Sequence, residues 1–254
     1  MPDINSGLRR AANALKSVDW VVPAYVSVGV ISNLGCRIEN ADPVEKQAIL
    51  KSFLPQIYSD DNLAAKLVGL YSVTIFVRDF RKPIAEAIEA GLTGLPHAAV
   101  CTLIPVLEGV FKKISVERDG LSKKGNTPWL RAELDELLAK EERSPSRYEE
   151  RIVMLESFRE FYVNRFTSST NCYEGLDQLN RHGILHGIFE GYGDNVNFFR
   201  LVSLLDLLCF ALALSHGGSC FSPEYTNESR ALASFFRAAR EQSALRPEWD
   251  TNDI

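Results

Sequence analysis

The stretch Asn195–His216, NVNFFRLVSLLDLLCFALALSH, decides the fold class. Phe198, Leu201, Leu205, Leu208 and Leu212 alternate at three- and four-residue spacing, so their side chains fall in one seam of a helix. Residues 201–215 are the most apolar run of the chain, yet they are too short to span a bilayer and hold Asp206 at their centre. The segment therefore reads as a core helix. A carboxylate there needs a partner: either a salt bridge from a facing helix, or a role orienting Arg181 or a histidine.

Working outward, the same period recurs upstream. Leu63, Leu67, Leu70, Val73, Phe76 and Phe80 form an apolar stripe that predicts one helix, ended or restarted at Pro83. Val100, Leu103, Leu107, Val110 and Ile114 predict another, kinked at Pro105. Asp42 before Pro43 predicts a helix start, running to about residue 58. Residues 112–128, with five basic and two acidic side chains among Gly120, Gly125 and Pro128, read as an exposed loop. Helices are predicted over 128–142, over 145–166 with Leu155, Phe158, Tyr162 and Phe166 inward, and over 228–241. Only residues 20–31, WVVPAYVSVGVI, are β-branched enough to leave strand open. The expectation is an all-α bundle.

Composition narrows the function classes. The chain has 254 residues, 46% hydrophobic and 24% charged, which excludes long disorder. With 28 Lys+Arg against 33 Asp+Glu, a net charge of −5 excludes a uniformly basic coat for duplex DNA. Any nucleic-acid contact needs a local patch, and Lys112, Lys113, Arg118, Lys123 and Lys124 are the candidates for an RNA backbone. Five widely spaced cysteines without a C-x-x-C pair argue against both a disulfide framework and a zinc cluster, and Cys101 and Cys209 read as small core residues. Nothing in residues 1–10 reads as a secretory signal, so a cytoplasmic protein away from the membrane is expected. No Walker-type phosphate loop or dinucleotide fingerprint occurs, which disfavours an ATPase or dehydrogenase.

The concentrated chemistry lies in residues 179–193, LNRHGILHGIFEGYG, with two of the four histidines. Arg181, His182 and His186 spell R-H-x-x-x-H after Asn180. Histidine titrates nearest neutrality and can serve as acid or base, while a guanidinium matches phosphate oxygens. Cleaving RNA without a metal needs a proton acceptor for the 2′-OH, a donor for the 5′-oxygen, and a cation for the phosphate. In a straight helix Arg181 and His186 stand roughly 140° apart. That conflict eases if Asn180 caps the helix and Arg181 is its first residue, a helix start that also suits a phosphate. His97, after Pro96, reads as a cap or core residue, and His216 as a charge at a helix C-terminus.

The string, with Asn180 before it, Gly187 after it and a Leu-rich helix following, resembles the R-x(4–6)-H signature of HEPN domains, which are helical bundles found in RNA-cleaving toxins and antiviral effectors. Residues 103–112, LIPVLEGVFK, resemble the Glu-bearing helix of related bacterial proteins and bring in Glu108. The resemblance covers roughly residues 60–216, leaving 1–59 as an N-terminal helical extension and 217–254 as a C-terminal helix and tail. It implies a metal-independent endoribonuclease of a bacterial defence or toxin system, using Arg181, His186, His182 and Asn180, with Glu108 and Asp206 behind them and no cofactor. It also implies a homodimer with the motif at the interface, and a cognate antitoxin or regulatory protein is a possible partner. Gly183 and Gly187 suit such packing by giving the helix a smooth side where another backbone could approach.

Two other readings stay open. His182, His186 and Glu190 at i, i+4 and i+8 could hold a metal, although three consecutive turns span about 12 Å and the H-E-x-x-H string is absent. Alternatively, Arg181 is a structural arginine paired with Glu108 or Asp206, and the chain is a non-catalytic dimerisation or interaction module.

Overall fold

The computed structural model describes residues 4–119, 126–146, 148–175 and 177–245. Eleven α-helices and no strand occur among them: α1 (Ile4–Lys16), α2 (Val28–Glu39), α3 (Lys46–Ile57), α4 (Asp60–Lys66), α5 (Arg81–Leu92), α6 (Pro96–Asp119), α7 (Asn126–Arg143), α8 (Glu149–Phe161), α9 (Arg181–Leu185), α10 (Asn195–His216) and α11 (Asn227–Ser243). The all-α class is as read from the sequence. Helix α10 is the axis, packed against α3, α6, α7 and α8. It is long and apolar enough to cross a membrane, and most of it is buried within the protein's own fold. Asp194 caps its start by accepting from the Val196 amide, and Gly217 in the left-handed region ends it. Burial on every side explains why its apolar residues are not confined to the seam.

Around this axis α5 packs on α6, α1 on α2, and α11 on α4. One apolar cluster runs from Leu8 to Phe236. Residues before 60 add Leu8, Leu15, Trp20, Val22 and Ile31 to it, all at most 2% exposed.

Several expected elements are reshaped. The stripe from Leu63 to Phe80 is not one helix. After α4 the chain widens into a π-turn at Leu67–Tyr71, turns back, and reverses at Phe76 with φ 64°. Thr74 Oγ1 donates to the Leu70 carbonyl at 2.8 Å and Ser72 Oγ to that of Val68, in a β-branched stretch that resists continuing the helix, and Val73 ends up 62% exposed. Pro83 restarts helix, as the third residue of α5. Pro105 does not end α6, which carries on to Asp119, so residues 112–119 are helix rather than loop. Residues 20–31 form no strand: Trp20–Ala24 are buried non-helical chain, Tyr25 turns at φ 61°, and Ser27 caps α2. Asp42 and Pro43 open a turn before α3 rather than α3 itself. Cys209 is buried as expected, whereas Cys101 is exposed, on the outer face of α6.

Candidate functional site

Helix α9 is a single short turn, and its two ends define the site. Asn180, fully buried, caps it: Oδ1 accepts from the Gly183 amide at 2.8 Å while Nδ2 donates to the Ser168 carbonyl at 2.9 Å. The cap expected from the sequence is formed, and it places Asn180 in the scaffold, away from solvent. At the other end His186 leaves helical geometry and Gly187 takes φ 65°, while the Ile188 and Phe189 amides fold back onto the Gly183 carbonyl. A side chain at Gly187 would be strained in that conformation. Gly183 serves differently, since a Cβ there would lie 2.4 Å from the Phe189 ring. Of the smooth face that the sequence offered to another backbone, the Gly183 part is therefore filled by the chain's own Phe189, while Gly187 faces open space. The expected phosphate ground at the helix start is also reduced, because Asn180 already takes the Gly183 amide and the helix is only five residues long.

Three side chains emerge together. Arg181 Nη2 lies 3.0 Å from Glu108 Oε2 on α6, and its Nη1 lies 3.4 Å from His182 Nε2. The His182 and His186 rings are parallel within 4°, with centroids 6.1 Å apart. His182 is half-buried and His186 exposed. Desolvation, then repulsion from Arg181 and His186, pulls the His182 pKa below its ordinary value, with Glu108 opposing. In its neutral form His182 accepts a hydrogen bond from Arg181 Nη1 at Nε2 and carries its own proton on Nδ1, and His186 is the ring open to solvent. Beneath them Tyr162, in the π-turn Tyr162–Phe166, is buried beside Glu108 and Arg181, and burial followed by the carboxylate holds its phenol well above the ordinary range.

The remaining expectations divide. Glu108 stands behind Arg181 as read, but Asp206 does not. It is fully buried in α10, bound to Lys66 Nζ at 2.5 Å and to the Tyr71 hydroxyl at 2.7 Å. Of its two sequence readings, the salt bridge is the one formed. The partner Lys66 escaped notice although it stands at i+3 from Leu63 and i−4 from Leu70, on the apolar stripe. Glu190 is carried off the α9 axis by the turn at Gly187, so the aligned His182–His186–Glu190 set does not form, and no group of metal-ligating side chains occurs among the described residues. His97 is neither cap nor core: it is exposed, and its Nε2 lies 3.2 Å from the Glu190 carbonyl, tying down the loop after α9. His216 sits at the end of α10 as read, 3.6 Å from Glu117.

The basic patch is only partly visible. Lys112 and Lys113 are exposed on α6, and Lys113 pairs with Asp79 at 2.6 Å. Lys123 and Lys124 lie outside the described residues, and for Arg118 only the backbone, within α6, is described.

No family model matches the chain, and no curated protein or solved structure matches it.

Proposed function

We propose that the chain is a metal-independent endoribonuclease of the HEPN type, cytoplasmic and belonging to a bacterial defence or toxin system. The observation that carries this reading is the Arg181–His182–His186 cluster: an arginine fork touching a half-buried neutral imidazole, stacked in parallel with an exposed one. His186 takes the proton of the substrate's 2′-OH, whose oxygen attacks phosphorus as the bond to the 5′-oxygen breaks. His186 of a second copy donates the proton that the leaving 5′-oxygen needs. Arg181 balances charge on the non-bridging oxygens, a contribution of about 3 kcal/mol for one well-placed donor. Glu108 and Asn180 hold the arginine and the helix that carries it. Leu185 and Ile188, 47% and 59% exposed on either side of His186, suit pairing of two copies at this face.

A second reading has one observation in its favour. Arg181 already has an internal carboxylate partner at 3.0 Å, the arrangement of a structural arginine in a non-catalytic dimerisation module. End-group analysis separates the two. Cleaved RNA should carry 2′,3′-cyclic phosphate and 5′-hydroxyl ends, a single 2′-deoxy substitution should block cutting at that position, and His186→Ala should abolish cleavage with the thermal midpoint unchanged. Light scattering should give a dimer at micromolar protein. Fragments with 5′-phosphates mean that water attacks and overturn the mechanism. A dimeric wild type that cuts no RNA favours the module.

A further inference from the structure

Beyond α9 the chain frames an open cleft of about 610 Å³, lined by His97, Gln178, Ile188, Glu190, Gly191 and Gly193. Its volume falls within the range of small-molecule sites. Ile188 stands two residues past His186, a span of at most about 7 Å along the chain. The cleft therefore adjoins the imidazole that is open to solvent, without sharing a side chain with the Arg181–His182–His186 cluster.

Three of its side chains have defined chemistry. Gln178 takes φ 58°, a left-handed backbone that a non-glycine residue keeps only where its surroundings hold it. Its Oε1 accepts from the Gly191 amide at 2.7 Å. A backbone N–H can meet only the oxygen of the carboxamide, so its orientation is fixed and the Nε2 hydrogens have no partner among the described residues. Glu190 is exposed, and its carboxylate makes no ion pair or hydrogen bond among the described residues. His97 is exposed too, yet its ring is held in place. Its Nε2 lies 3.2 Å from the Glu190 carbonyl, Tyr192 meets it edge-on at 4.9 Å, and a Cβ on Gly193 would lie 1.8 Å from it. Only glycine at 193 admits the ring there.

The cleft thus offers a free amide donor, a free carboxylate, a fixed aromatic ring and the apolar Ile188. Unstacked RNA bases are read by this combination, a ring to lie on and polar groups along one edge. Guanine alone presents a carbonyl, O6, beside two adjacent N–H donors, N1–H and the 2-amino group. A carboxylate accepts from both donors at once, with charge assisting, and an amide N–H answers O6. Adenine and cytosine would turn a ring-nitrogen lone pair toward the carboxylate, and uracil flanks its one N–H with carbonyls.

We infer that this cleft is a base-recognition subsite for guanine. Glu190 accepts from N1–H and the 2-amino group, Gln178 Nε2 donates to O6, and the base lies against His97 and Ile188. Its place in the reaction rests on the ribonuclease reading: a guanine held here belongs to a nucleotide flanking the phosphate at His186, so RNA is cut next to guanosine. Binding of the base itself needs no cleavage.

The test titrates guanosine 3′-monophosphate into the full chain labelled with ¹⁵N, with the adenosine, cytidine and uridine 3′-monophosphates for comparison. Saturable movement of the Gly191 amide and Gln178 side-chain resonances is expected, with the guanosine nucleotide bound roughly tenfold more tightly than the other three. Glu190→Gln and Gln178→Glu are nearly isosteric changes at exposed positions. Each should bring the guanosine nucleotide down to the level of the others. Gln178→Glu can still accept from the Gly191 amide, and if it nevertheless disturbs the loop, Glu190→Gln decides. Four nucleotides bound equally, resonances that stay still at millimolar nucleotide, or a preference that survives Glu190→Gln overturns the inference. RNA cut without regard to guanosine by a chain that binds no nucleotide selectively would remove the subsite and leave the ribonuclease standing. Selective guanosine binding by a chain that cuts no RNA would keep the subsite and remove the ribonuclease.

Discussion

His182 and His186 are chemically identical rings in unlike surroundings, and the difference decides which of them can exchange protons with a substrate. His182 loses solvent and faces Arg181, so its charged form is disfavoured, while His186 stands open. By NMR titration His182 should therefore titrate below 6.5. Arg181→Ala should raise its pKa, His186→Ala should raise it less, and Glu108→Gln should lower it. An unchanged His182 titration in Arg181→Ala would sink the electrostatic account of the cluster. The sign for stability follows from the depressed folded value: the unfolded chain binds the proton more readily, so His182 costs nothing well above pH 6.5 and takes stability away as pH falls below it. At this scale the sequence was partly legible. Asn180 followed by a helical turn announces its own cap, and Glu108 was among the partners considered for Arg181. A Gly-rich turn before α10 was also legible, but not that the helix already ends before Gly187, because a glycine fits a helix interior at modest cost as well as it fits the end of one.

Among the elements, α10 shows both how far periodicity reaches and where it stops. Its two ends coincide with those read from the sequence because Asp194 and Gly217 punctuate an unbroken apolar run. By contrast, the stripe after Leu63 kept its period while Ser72 and Thr74 hydrogen-bonded back to the chain and broke the helix, a local competition that spacing alone does not reveal. Between these elements lies the buried pair Lys66–Asp206, braced by the Tyr71 hydroxyl, with Lys66 Nζ 4.8 Å from the centre of the Tyr58 ring. Removing one charge leaves the other unpaired in the core, so Lys66→Met should cost roughly 3–5 kcal/mol. The double variant Lys66→Met with Asp206→Leu removes both, and it should recover most of that loss and regain at least the stability of the single variant. Urea unfolding of wild type, Lys66→Met, Asp206→Leu and the double variant measures the coupling. Additive losses in the double variant would mean that the pair is not an interacting unit.

For the whole molecule, the question is whether the first helices are an attachment or part of the core. The guanidinium of Arg200, on the central helix, is 2% exposed. It donates to the Asp19 carbonyl at 2.7 Å, the Val18 carbonyl at 3.0 Å and Asn197 Oδ1 at 2.7 Å, and it touches the Asp177 carboxylate. Burial draws its pKa down to about 10, against the pull of Asp19, so it remains a cation at neutral pH, and two of its four partners come from the N-terminal segment. Leu8, Leu15, Trp20 and Val22 bury themselves in the same apolar cluster, and Gly35 admits Ala11 so closely that a Cβ there would lie 2.5 Å from the Ala11 backbone. Deleting residues 1–26 would strip the cation of two carbonyl acceptors and uncover apolar surface on α2 and α8. A buried charge that loses half its partners, together with the uncovered apolar surface, costs several kcal/mol, against a total stability of typically 5–15 kcal/mol for a native protein. The truncated chain should therefore show no cooperative thermal transition by calorimetry and no near-UV circular dichroism signal characteristic of fixed packing. A truncated chain that melts sharply near the full-length midpoint would instead establish the first helices as a separable extension, and would place the Arg200 partners among interactions that the core can do without.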